Sequence, residues 1–449
     1  MSGISRRDLL WTGAAVGGAI LAEGKARAQE SHQHGEEHQH PPPGPPTKAR
    51  KGPRPVPAGW KQNGTVVTPN GSRLPWKVGV DGVKVFHLVA EPVEHELVSG
   101  LAIEAWGYNG QTPGPTIEVT EGDRCRFYVT NRLAEETTIH WHGMFLPNGM
   151  DGVAGITQKA IPPGETYVYE FPMKKPGTFM YHPHFDEMTQ MALGMQGMIV
   201  VHPRQRALRK VRDYALMLSE WKVVAGARRP DPLEMTDFNM LTFNSKAFPS
   251  TEPVLAELGD LVRLRIGNLS PMDHHPIHVH GHAFEVVETD GGQVPKSARR
   301  PETTVLVPVG AVRVVEFVAD AAGDWPLHCH MTHHVMNQMG HAAPVLIGAD
   351  LSDADRRIRK IVPGYMTMGH TGMGGMAEMK MPFPPNSVPM KGADGPFGFI
   401  DMGGMFTIVK IRERLPEKGD PGWYKHPEGT VSSQATSAQL RRDGVVVNE

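Results

Sequence analysis

The tightest constraint on how this chain can fold is a set of four histidine pairs, each spaced by one residue. They are His140 and His142, His182 and His184, His278 and His280, and His328 and His330. In an extended chain successive side chains alternate between faces, so residues two apart share a face. Each pair read as a strand therefore aims both imidazoles at a common centre. The rest of the sequence agrees with strands. Short β-branched and aromatic runs at 64–68, 83–89, 116–119, 125–130, 166–171 and 197–201 are separated by turn residues. After Pro203 and a basic stretch at 204–212 the pattern repeats at 214–218, 261–266, 283–287, 304–307, 312–318 and 344–347. Fifty glycines and forty prolines supply the turns. Regular short strands of this kind predict an all-β chain of two sandwiches.

Parity then separates two groups of donors. The eight paired histidines converge, and neutral imidazole is a good ligand for copper; eight of them suffice for three ions. Cys329 lies between His328 and His330 and has the opposite parity, as does His275, three residues before His278. A Cys-His-His set with a weak axial Met is the signature of a type 1, blue copper site, and Cys329, His275, His334 and Met339 supply it. His328 and His330 flank Cys329, so the thiolate has a short covalent route to the three-ion centre. A thiolate consumed as a ligand leaves no Cys125–Cys329 disulfide, and Cys125, in the run 125–129, reads as a buried thiol.

At these motifs the chain resembles the multicopper oxidases, the family of laccases and cuprous oxidases. The resemblance begins with Asn-Gly-Gln-Thr-Pro-Gly-Pro-Thr at 109–116 and takes in His-Trp-His-Gly at 140–143, the run 275–282 and the run 328–339. It implies two cupredoxin-like Greek-key β-sandwich domains and four copper ions per subunit equivalent. His140 and His278 would hold type 2 copper, and His142, His182, His184, His280, His328 and His330 the type 3 pair. His275, Cys329, His334 and Met339 would hold type 1 copper. The family also has an acid near the cluster that assists proton delivery, and Asp151 matches its position; a plain turn residue before Gly152 is the other reading. Asp186 and Glu187 are further neighbours of the cluster. His274, His282, His333 and His341 fall off the ligand pattern.

His184 and His275 are only about 90 positions apart, which leaves no room for a middle domain. That resembles the two-domain branch, whose members form homotrimers with each trinuclear cluster at a subunit junction. Two-domain nitrite reductases fit less well, because Pro183 stands where their type 1 cysteine belongs. The implied reaction is one-electron oxidation of phenolic or aromatic donors, or of Cu(I), coupled to reduction of O₂ to water. Nine methionines between Met366 and Met405 favour Cu(I) as a soft ion, or else form a flexible apolar cover. An axial Met implies a low to medium potential.

The ends of the chain carry their own signals. Arg6-Arg7 precedes an apolar stretch and an Ala-Arg-Ala sequence at 26–28, which reads as a twin-arginine signal at 1–28 and export to the periplasm or medium. Residues 29–58 read as a disordered His/Pro-rich linker. The domains are expected at 59–205 and 206–350. A Met-rich extension at 351–426, helical near 351–360, adds one strand at 405–411 to the second sandwich's edge, and 427–449 is expected to be disordered. A net charge of −2 offers no basic face for nucleic acid, and no stretch reaches membrane-spanning length.

Overall fold

A computed structural model describes residues 48–205, 210–224, 226–338, 385–390 and 392–447, with 353, 356–357 and 360–361. Met339, residues 1–47, the expected strand at 344–347 and most of the Met-rich segment lie outside the described residues.

The first sandwich is built on the long strand Lys84–Val98, which pairs with Arg50–Lys51, Trp76–Val78, Leu101–Tyr108 and Arg124–Asn131. Thr166–Pro172 completes that sheet. A facing sheet of Ile117–Thr120, Gly197–His202 and Gly177–Tyr181 closes the core. Cys125, Phe127, Trp141, Phe171 and Tyr181 are buried between the sheets. Alternation sets this division: Arg124–Asn131 follows a strict exposed-buried rhythm that sends Cys125, Phe127 and Val129 inward.

The second sandwich repeats the plan. One sheet runs Met240–Phe243, Val211–Trp221, Leu261–Asn268, Val312–Val318, Phe284–Thr289; the other runs Val254–Glu257, Phe406–Arg412, Gly323–Cys329, His275–Val279, Thr304–Val307. Cys329 lies in this second core, so the two cysteines are far apart in the fold and both are free.

Four expectations need correction. The C-terminal strand Phe406–Arg412 is not an edge decoration. It sits inside the second sheet, between Val254–Glu257 and Gly323–Cys329, because six of its seven residues are buried and both of its edges need partners. The extension also contributes a hairpin, Ala393–Gly395 with Gly398–Ile400, and so more than one strand. At the other end, the linker cannot reach 58. Arg50–Lys51 pairs in parallel with Val93–Glu94, and the Arg54 guanidinium binds Glu91 at 2.7 Å, which ties this segment to the first sheet. In the tail, Ser437–Arg442 forms a short exposed helix rather than plain coil, started by a capping box of Thr436 and Gln439.

The sandwiches share a core of Met180, Met198 and Val200 from the first and Ala215, Met217, Val312 and Val314 from the second. Beside it Arg265 is buried against Asp213 (2.7 and 2.8 Å) and the first sandwich's Thr178 (2.6 Å). A buried ion that keeps all its partners fixes orientation, since losing one leaves a stranded charge.

Two predictions follow from this packing. Ile411 is fully buried, so Ile411→Ala should cost ~2–5 kcal/mol in chemical denaturation; a loss below ~1 kcal/mol would return the strand to a peripheral role. His95, half-buried, meets the Ser245 carbonyl at 2.6 Å, and desolvation lowers its pKa from 6.5 to about 4. The unfolded chain then binds this proton first. His95 therefore stabilises the fold above pH 6.5, and that contribution is lost as pH falls towards 4. His95→Gln should flatten the stability–pH curve of metal-free protein in this window, at up to ~1.4 kcal/mol per pH unit.

Candidate metal centre

Two adjacent strands of the second sandwich settle which way each donor points. His275–Val279 pairs with Gly323–Cys329, with Ile277 opposite Cys329 and His278 opposite His328. Burial alternates along 275–279, so His275, Ile277 and Val279 face the core while His278 faces out. Cys329 shares the inner face, and His328 turns to the outer one.

On the inner face, three donors meet. Cys329 Sγ lies 3.7 Å from His275 Nδ1 and 3.5 Å from His334 Nδ1, and the two nitrogens are 3.2 Å apart. Such separations suit one ion about 2 Å from each nitrogen. His334 arrives from a short 3-10 turn, Thr332–Val335, that folds back beneath the strand. The C-terminal strand clamps this turn: the Cys329 N–H donates to the Met405 carbonyl at 3.1 Å, and the Met405 N–H donates to the His334 carbonyl at 3.0 Å. Burial holds His275 and His334 near a pKa of 4 and pushes the Cys329 thiol up to about 12. The imidazoles are thus ready as ligands, whereas the thiol must lose its proton to a metal.

On the outer face, His278, His280, His328 and His330 form a quartet. Ring centroids are 4.7 Å apart for His278 and His280 and 5.2 Å for His280 and His328, with His330 5.4 Å from His278. The first sandwich carries a matching quartet. The segment through His140 bonds in both directions to His182, and His140, His142 and His182 bring ligand atoms within 4.8 Å of one another. The His184 ring stands 5.6 Å from that of His140 and 6.4 Å from that of His182. Among the described residues no ring contact joins one quartet to the other.

Backbone carbonyls choose the nitrogen each histidine offers. His140 Nδ1 donates to Asp151 O (2.9 Å), His182 Nδ1 to Pro183 O (2.8 Å), His278 Nδ1 to Thr303 O (2.7 Å) and His328 Nδ1 to Cys329 O (2.8 Å). In each case Nε2 is left for a metal. His142 is the reverse, with Nδ1 facing His182 Nε2 at 3.2 Å. Burial, then the charge of His142, lowers the His182 pKa to about 3.

Asp151 stands at a turn and beside His140. It ends the turn Asn148–Met150, and its carboxylate lies 3.5 Å from His140 Nδ1. Gly152 follows at φ 84°, where a Cβ would sit 1.6 Å from the Ile139 carbonyl, so only glycine lets this loop press on the His140 segment. Glu187 reaches His182 Nδ1 at 3.4 Å. Motif reading passed over Glu220, which faces His275 Nε2 at 3.2 Å with both side chains fully buried. Its signal is an acid just beyond the apolar run Tyr214–Leu218 of the strand Val211–Trp221. Burial raises its pKa to about 8, and Asp273 adds to this; a cation nearby acts in the opposite direction.

Family models described as multicopper oxidase match residues 90–206 and 225–348. Together these stretches take in more than half of the chain, and the protein belongs to the multicopper oxidases. It is 27% identical to copper resistance protein A of Escherichia coli over 62% of this chain and 52% of that one. It is 30% identical to a laccase of Cryptococcus neoformans var. grubii over 43% of this chain and 36% of that one. The chain thus spans about half, or less, of these curated relatives. The blue copper oxidase of Nitrosomonas europaea superposes with a TM-score of 0.53 at 28% identity, covering 73% of this chain and 85% of that structure. Copper is the metal of this family, and the donors found here suit it: a thiolate with two imidazoles on one side, imidazole quartets elsewhere.

Cys329 is the one cysteine among the described residues that touches histidine donors. Copper-loaded Cys329→Ser should lose the intense blue absorption while metal analysis shows most of its copper retained. Blue colour in the variant would rule out this thiolate as the chromophore.

Proposed function

We propose that this protein is an exported, homotrimeric multicopper oxidase that couples one-electron oxidation of small donors to four-electron reduction of O₂ to water. The observation that carries the reading is the back-to-back arrangement at His328-Cys329-His330, where a buried thiolate set and an outward histidine quartet share one strand end. A protein that only stores copper has no use for such adjacency.

In this reading His275, Cys329, His334 and Met339 hold one type 1 ion. His140 and His278 hold type 2 copper, and His142, His182, His184, His280, His328 and His330 the type 3 pair. Bound copper would supply the one-electron chemistry and the oxygen-binding centre. The chain's residues do the rest. The sandwich core keeps water from Cys329, the carbonyls fix each tautomer, and Asp151 beside His140 is suited to hold and pass a proton. Each quartet is half of the eight-histidine set, and a second subunit in a closed ring would supply the other half.

The Arg6-Arg7 signal supports export by the twin-arginine route. Among the described residues no helix is long and apolar enough to cross a membrane. The donor is a phenol or aromatic amine, as for laccases, or Cu(I), which the Met-rich segment and the likeness to a copper resistance protein favour.

Oxygen uptake by copper-loaded protein tests the reading with both donors. Uptake with at least one is expected, and none with either would reduce the protein to copper binding. Removing residues 364–384 spares Met390, whose carbonyl accepts the Asn337 N–H; unchanged Cu(I) turnover would exclude that segment as the cuprous entry. Asp151→Asn should lower turnover ~10–100-fold at unchanged copper content. Light scattering should give a trimer, and a fully active monomer would overturn the shared cluster.

A further inference from the structure

Glu220 is a buried carboxylate with no lysine or arginine within ion-pair reach among the described residues. It lies on Val211–Trp221, 2% exposed. Its Oε2 accepts the backbone N–H groups of Met272 and Asp273, each at 3.3 Å, and so pins the loop that leads into His275. Its Oε1 has no hydrogen-bond partner of ordinary geometry and lies 3.2 Å from His275 Nε2, with the Asp273 side chain also near the carboxyl. Ser270 Oγ shares that nitrogen at 3.0 Å.

A buried polar atom left without a partner is costly, and a carboxylate more so. The cost falls when His275 carries its proton on Nε2, because Oε1 then gains a donor. That tautomer leaves the lone pair on Nδ1, the nitrogen that faces Cys329 and His334.

We propose that Glu220 is a positioning residue that fixes His275 with Nδ1 towards the thiolate and lowers the reduction potential of the ion held there. The inference rests on the type 1 reading above. Its mechanism is physical: a carboxylate behind a ligating imidazole strengthens the ligand as a donor and favours the more highly charged oxidation state. Here the acceptor is sealed from solvent, so water cannot screen it.

Glu220→Gln keeps the shape and a carbonyl for the loop N–H groups, and removes the carboxylate. Potentiometry of the copper-loaded protein should find the blue site easier to reduce, by on the order of tenfold in its equilibrium with a fixed donor, or ~59 mV for one electron. Glu220→Asp should move it part of the way. A blue wild type with an unshifted potential in Glu220→Gln overturns the role of Glu220 alone. A wild type that takes up copper without blue absorption overturns the type 1 reading, and this inference with it. If Glu220→Gln does not fold, nitrogen-15 NMR of the wild type loaded with diamagnetic Cu(I) decides. A slowly exchanging Nε2 proton on His275 is expected, and a proton on Nδ1 overturns the proposal.

Discussion

One strand pair organises the chemistry of this protein. Where His275–Val279 runs beside Gly323–Cys329, alternation puts a thiolate and an imidazole into a dry core and sends their neighbours to the opposite surface. Two sites with different needs are thereby built a single residue apart. Cys329 is shut away from water among buried neighbours; the imidazole quartet lies on the outer face. A slip of one residue in register would exchange the two sets and destroy both.

That register is held from a distance. The C-terminal strand Phe406–Arg412 lies along the Cys329 strand, and Met405 binds the backbone of both Cys329 and His334. Glu220 and Ser270 reach His275 from the opposite sheet and its loop. In the first sandwich the same work falls to Asp151 and Pro183 through their carbonyls. Several ligands named by a motif are thus aimed by residues outside it. The hydrogen bond from Arg265, itself paired with Asp213, to Thr178 of the first sandwich, together with the shared methionine core, fixes the two sandwiches of one chain against each other.

Legibility in the sequence followed the range of the interaction. Strands such as Arg124–Asn131 and Val312–Val318 were readable because their own side chains alternate. The donors were readable because spacing by two, and its breach at Cys329 and His275, is a local property. The C-terminal strand was visible as a strand, yet its place in the sheet depended on partners about 80 and 150 residues earlier. Arg50–Lys51 was hidden in a low-complexity context, since two residues carry no period. Glu220 looked like the polar end of an apolar run, and only burial against His275 distinguishes it.

The sequence by itself determined the class of fold and the division of the candidate donors between two faces of a strand, because alternation and residue chemistry travel with the chain. Tertiary structure decided which nitrogen His140 and His278 present and which carboxylate stands behind His275. Those outcomes depend on hydrogen bonds and burial between segments that no local pattern connects. The four pairs announce a copper protein; the packing around Cys329 and His275 decides how its sites are held.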